Sequence, residues 1–171
     1  MIAILLNDAS FEQDIRELLM AFYPGETFTH KEEEAGEVEL IVRGVRDGNS
    51  FSLDVTPVKK EAVHFALIYP DFSNRFETKN EIKQTLYRLL SAQTGRELPW
   101  GTLTGIRPTK IALTKLYDGW TDEQIETYMR ETYFTSKEKI DLSIDVAERE
   151  RRLLSTIDYE NGYSLYVGIP F

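Results

Sequence analysis

The residues best placed to do chemistry lie together in Trp100-Gly-Thr-Leu-Thr-Gly-Ile-Arg-Pro-Thr-Lys110. Two glycines and two threonines precede a proline-started helix, which makes a loop rich in backbone N–H groups. Arg107 and Lys110 stand where that helix begins. Such a loop can bind a carboxylate or a phosphate, with Thr104, Arg107 and Lys110 as candidate ligands. The alternative is structural: Thr104 or Arg107 caps the helix while Trp100 and Ile106 pack. The segment is not a Walker loop, which needs Gly-Lys-Ser/Thr, and it is not Gly-x-Gly-x-x-Gly. Its surroundings are basic within an acidic chain. The net charge is −9, yet residues 79–115 hold seven Lys and Arg against two Asp and Glu, or +5. Residues 1–78 carry −8 and residues 116–171 carry −6. A basic island suits an anionic ligand; its other reading is a set of solvated helix faces.

Other chemistries are excluded by residue type. The 171-residue chain has no cysteine, so it holds no disulfide, thiolate metal site or cysteine nucleophile. His30 and His64 are its two histidines, too few for a histidine-built metal or general-base site, and both read as surface or structural residues. No Ser/His/Asp set or carboxylate pair stands out. Tyr87, Tyr117, Tyr128 and Tyr133 read as helix packing. The acidic balance opposes nucleic-acid binding, which needs clustered Lys and Arg. With 42% hydrophobic and 29% charged residues the composition is that of a soluble globular protein. No apolar run approaches the roughly 20 residues that span a bilayer. Met1–Leu6 is short, lacks a basic flank and reads as a strand, so a cytoplasmic protein without membrane contact is expected.

The elements that must position the Trp100–Lys110 segment follow from hydrophobic periodicity. Ile2–Leu6 suits a strand buried on both faces. Ser10-Phe-Glu-Gln13 has capping-box spacing ahead of a helix carrying Phe11, Ile15, Leu18, Leu19 and Phe22, which Pro24-Gly25 stops. Val38, Leu40 and Val42, then Phe51, Leu53 and Val55, alternate on either side of Asp47-Gly48-Asn49, predicting an antiparallel hairpin. Val63, Phe65, Leu67 and Tyr69 add a third strand, and Glu32-Glu33-Glu34 is a solvated loop. Thr78-Lys-Asn-Glu81 opens a helix with Ile82, Leu86, Leu89 and Leu90, ended by Gly95. Pro108, Thr121 and Ser136 start three further helices, and Leu165, Val167 and Ile169 alternate as a final strand. The expected class is α+β. A β-α-β-β-β-α sandwich with an antiparallel sheet occupies 1–95, a helical segment 96–160, and a strand 161–171.

Two segments carry a family resemblance. Trp100, Gly101, Leu103 to Thr109 and Lys110, together with Tyr163-Ser-Leu-Tyr-Val-Gly-Ile-Pro-Phe171, resemble radical-SAM enzymes related to oxygen-independent coproporphyrinogen III oxidase, in their HemZ-type subgroup. In that family the Ile-Pro-Phe strand is the first of a barrel and runs into the cysteines that hold an iron–sulfur cluster. The resemblance implies a parent protein with a 4Fe-4S cluster and S-adenosylmethionine that oxidatively decarboxylates substrate propionates in haem biosynthesis, with a tetrapyrrole substrate and an electron donor as partners. It implies a place beside S-adenosylmethionine for Tyr166. It makes Arg107 a carboxylate ligand, since guanidinium pairs bidentately with carboxylate. Gly168 stands where the better-known oxidases have histidine. On this resemblance the chain is expected to be an N-terminal accessory region ending ahead of the cluster cysteines. It would have no cofactor and no catalysis of its own, and would cover the barrel or help bind substrate. Two other readings stand beside it. One is a scaffold or a haem- or partner-binding domain of a homologue without coproporphyrinogen activity. The other is an anionic-ligand module built on the Thr-Leu-Thr-Gly loop.

Overall fold

The apolar run at the chain start forms β1 (Ile2–Leu6), a strand with parallel neighbours on both sides. Ile2, Ala3 and Ile4 are almost wholly buried, as an interior parallel strand requires. One neighbour is the two-residue β2 (Phe28–Thr29), reached through helix α1 (Glu12–Phe22); the other is β3 (Leu40–Asp47). From β3 the chain makes an antiparallel meander with β4 (Ser50–Pro57) and β5 (His64–Ile68), so the strand order is β2-β1-β3-β4-β5. The class is α+β as expected, but the sheet is mixed rather than antiparallel. Hairpin patterns report local pairings, whereas β1 meets its partners across a helix and a long connection. The computed structural model describes residues 1–31, 38–58, 63–105, 107–155, 165 and 168. Expectations for Glu32–Glu34, for Ile106 and for the strand that carries Tyr166, Val167 and Ile169 lie outside the described residues.

Helix α2 (Arg75–Thr94) packs with α1 on one face of this sheet. Its buried Ile82, Leu86 and Leu90 meet Phe22, Val42 and Leu53 in one cluster. Each such side chain contributes roughly 1.5–3 kcal/mol on burial. The hairpin turns at Gly48-Asn49, with Gly48 at φ +56°, the geometry favoured in two-residue hairpin loops. β5 inverts the expected facing. His64, Ala66 and Ile68 lie on the helix side, while Phe65 and Leu67, and Val63 and Tyr69 flanking them, are exposed. The pairing of Leu53 with Ala66 puts the small residue opposite the core strand and Phe65 opposite Asp54.

Two helix starts also differ from expectation. Asp8, not Ser10, accepts the first free N–H, from Ser10 at 2.9 Å; it opens a short 3-10 turn, and α1 begins at Glu12. Asn74 caps α2 by accepting from Glu77 N at 3.2 Å, so the helix starts ahead of Thr78. The hydroxyl of Thr78 is instead buried and donates to Asp71 O at 2.7 Å. Gly95, at φ +68°, ends the helix as its sequence position predicts.

Three further helices, α3 (Pro108–Tyr117), α4 (Asp122–Tyr133) and α5 (Lys137–Leu154), build a second core from Leu113, Leu116, Ile125, Met129, Ile140 and Ile144. Thr121 and Gln124 form both halves of a capping box at α4. Pro108 is at the start of α3, whereas neither Arg107 nor Ser136 caps through its side chain. Tyr87 and Tyr133 pack in the interior, but Tyr117 is exposed.

Candidate functional site

The segment ahead of α3 is fixed by the end of α4. Phe134 closes α4 in the left-handed region, φ +58°, and directs the Tyr133 carbonyl at Thr102, which donates to it from its backbone N–H at 2.7 Å and its hydroxyl at 3.3 Å. Ser136 N donates to Pro99 O at 2.9 Å. Gly101, at φ +57°, is required where the two segments meet, because a Cβ there would lie 1.9 Å from Tyr133 O. The N–H groups of Gly101, Thr102 and Leu103 all donate to backbone carbonyls. The anion-binding capacity of this loop therefore rests on side chains rather than on those amides.

Two recesses flank the segment. The first, about 390 Å3, lies between α1, α2 and residues 102–105. Lys83 is 6% exposed there, and its Nζ donates to Thr104 Oγ1 at 2.7 Å. Thr104 in turn donates to Glu17 Oε2 at 3.0 Å. Burial lowers the Lys83 pKa, and attraction to Asp14 and Glu17 opposes that shift. The second recess, about 300 Å3, has Phe76, Ile111, Tyr128 and Tyr133 as its apolar lining. Arg107, just ahead of α3, and Lys110 and Lys115 within it add three cations. Phe76, Ile111 and Tyr133 line both recesses, so the two share a wall.

The cations of the second recess differ in commitment. Lys115 Nζ sits 4.2 Å from the Trp120 ring centroid and 5.0 Å from that of Tyr128, which places its charge on aromatic faces. Arg107 is 62% exposed and meets Glu150 at 3.3 Å, an exposed pair with little hold on it. Lys110 has no side-chain partner among the described residues. Burial and the Tyr128 hydroxyl, 3.4 Å away, push the Tyr133 phenol pKa up, so it stays a neutral hydrogen-bonding group.

Of the sequence candidates, Arg107 and Lys110 come together in the second recess, while Thr104 faces the first. Tyr166 lies outside the described residues. His30 sits at the surface beside Arg16, with Nδ1 3.2 Å from Ile4 O. Sequence reasoning missed Lys83, Asn80, Lys115 and the aromatic lining. A signal existed for α2: Phe76, Lys79, Asn80 and Lys83 fall at i, i+3, i+4 and i+7, one helical face. That face lies beside the Ile82-Leu86 stripe and reads as solvated until α3 and the 102–105 loop cover it.

A cysteine-free chain offers no thiolate to an iron–sulfur cluster. Among the described residues there is likewise no group of three or more His, Asp or Glu placed to hold a metal ion. No described helix is long and apolar enough to cross a membrane. The described residues therefore offer no ligand set for a cluster.

No family profile matches the chain, and no solved structure matches it. It is similar to the oxygen-independent coproporphyrinogen-III oxidase-like protein HemZ of Bacillus subtilis (strain 168), 33% identical over 120 residues. That match covers 68% of this chain and 24% of HemZ, so the chain spans about a quarter of the curated relative's length.

Proposed function

We propose that this chain is an accessory region of a HemZ-like, radical-SAM coproporphyrinogen oxidase-type protein, and that it helps bind the carboxylates of a tetrapyrrole substrate. In this reading residues 1–95 are an α+β domain, 96–160 a helical segment and 161–171 the first strand of a barrel. The cluster and S-adenosylmethionine belong to the rest of that parent protein, apart from a contact with Tyr166. The protein works in the cytoplasm with an electron donor.

The observation that carries this reading is the second recess. An apolar, aromatic lining suits a pyrrole face, and cations beside it suit propionates. Arg107 can pair bidentately with a carboxylate and Lys110 supplies a point charge. Thr104 holds the loop that aims them, through its bonds to Lys83 and Glu17. The similarity to HemZ supplies the substrate class.

The test is fluorescence titration of the chain with coproporphyrin III, the stable oxidised form of the substrate. Saturable binding that weakens at least about tenfold in the Arg107→Ala, Lys110→Ala double variant supports the proposal, since tenfold corresponds to about 1.4 kcal/mol, within reach of two charge-assisted contacts. Equal affinity in the variant, or no binding, removes the chain from substrate recognition. Reading on past Phe171 tests the parent assignment: a Cys-x-x-x-Cys-x-x-Cys there supports it, and its absence defeats it.

A further inference from the structure

The first recess has lining charges that balance: Asp14 and Glu17 come from α1, Lys79 and Lys83 from α2. Each oxygen of Glu17 has a partner within the protein, Oε1 accepting from Gln13 Nε2 at 3.0 Å and Oε2 from Thr104 at 3.0 Å. The other groups are less engaged. An ammonium carries three N–H donors, and among the described residues Lys83 places one, on Thr104. Asn80, 9% exposed, has no hydrogen-bond partner for its side-chain amide among those residues. Among the described residues Asp14 makes one ionic contact, a long 3.9 Å approach to Lys79 Nζ.

Lys83 keeps two N–H donors beyond its bond to Thr104, and the Asn80 amide, which is not shut off from solvent, is open to a further partner. Here both line a half-enclosed space of about 390 Å3. That is room for many waters, each taking about 30 Å3 of liquid volume, and it falls within the roughly 300–1,000 Å3 of small-ligand sites. Phe76, Leu103 and Ile111 add apolar surface to the same lining.

We propose that this cavity binds a small zwitterion of the amino-acid type, with its carboxylate on Lys83 Nζ and the Asn80 amide and its ammonium on Asp14. The sign of each lining group selects that class. A simple anion gains Lys83 but meets Asp14 and Glu17; a simple amine gains Asp14 but meets Lys83 and Lys79. A ligand with both charges matches Lys83 and Asp14 at once, and an apolar side chain fits against Phe76 and Ile111. This goes beyond the tetrapyrrole reading and uses different residues. The lowered pKa of Lys83 makes binding weaken at alkaline pH, as the ammonium that receives the carboxylate loses its charge.

The test is titration of the chain with L-leucine and L-phenylalanine, with acetate and methylamine as single-charge controls, followed by calorimetry and amide NMR. The expected result is saturable amino-acid binding with a Kd of about 1 mM or below. It should weaken about tenfold in Lys83→Met and in Asp14→Asn and stay unchanged in Lys110→Ala. Lys83→Met keeps volume while removing a buried charge, so it should remain folded; Asp14→Asn tests the other end of the site should it not. Absence of amino-acid binding at ~10 mM overturns the proposal. Equal binding of acetate, or an unchanged affinity in Asp14→Asn, also overturns it. Loss of coproporphyrin III binding in the Arg107/Lys110 variant with amino-acid binding intact separates this site from the other.

Discussion

Lys83 and Glu17 are joined through one hydroxyl: Thr104 Oγ1 accepts from Lys83 Nζ at 2.7 Å and donates to Glu17 Oε2 at 3.0 Å. A single side chain thus ties α2, α1 and the loop before α3. Thr104→Val keeps the shape and deletes both bonds, leaving the ammonium without a protein partner. The expected loss is about 1–3 kcal/mol, read by urea unfolding, with Thr104→Ser restoring most of it. A Thr104→Val protein as stable as the parent would mean that water replaces the hydroxyl at no cost.

Lys83 should also set an alkaline slope in stability. Its folded pKa lies below the ordinary 10.5 because burial disfavours the charged form. Between the two values the unfolded chain binds more protons, so the stability contribution of this group rises with pH toward 10.5. Comparing thermal midpoints of the parent chain and Lys83→Met from neutral pH upward should show the gap between them changing in that direction. Parallel curves would refute the assignment.

Asp8 should act at the acid end with a slope of the same sign, because its folded pKa is also lowered. The Ser10 hydroxyl and N–H, with Arg46 at 3.1 Å, hold its carboxyl at about 2, below the ordinary 3.8. Its contribution is full above 3.8 and is lost as pH falls toward 2. Asp8→Asn should lower stability at neutral pH and flatten that part of the acid-unfolding curve, the two proteins converging as pH falls toward 2.

Two glycines with positive φ should differ sharply on replacement by alanine. Gly119, at φ +81°, has open space around a new Cβ, so only the backbone cost of about 1–2 kcal/mol is expected. Gly101 adds a collision with Tyr133 O at 1.9 Å, a backbone atom that cannot swing aside. Gly101→Ala should lose at least about 4 kcal/mol or fail to fold, which denaturant midpoints of the two variants will decide.

Local features of this fold were legible in the sequence, and long-range ones were not. The Thr121–Gln124 box, Gly95, Pro108 and the Gly48-Asn49 hairpin all act within a few residues, so their spacing predicts them. Asn74 and Glu77 have the same N-cap-to-N3 spacing as Thr78 and Glu81, and periodicity does not choose between two adjacent caps. Register chooses the facing of β5: Ala66 opposite Leu53 turns Phe65 and Leu67 outward, although their alternation suits a core strand equally well. The candidate site was half legible. Arg107 and Lys110 stand in a conspicuous loop, but Lys83 becomes a buried cation only when residues from three separate stretches close around α2.

The strap between Pro99–Thr102 and Tyr133–Ser136 constrains the length of the chain as well as its shape. Its main-chain bonds, Thr102 N to Tyr133 O and Ser136 N to Pro99 O, run between the same two short segments. Gly101 sits inside it without room for a single added carbon. Surface connections usually tolerate insertions and deletions, but adding or removing one residue in this strap would put every later partner out of step. Natural variation in length should therefore collect elsewhere, at turns such as Gly48-Asn49, while the interval from Pro99 to Thr102 keeps a fixed count of residues.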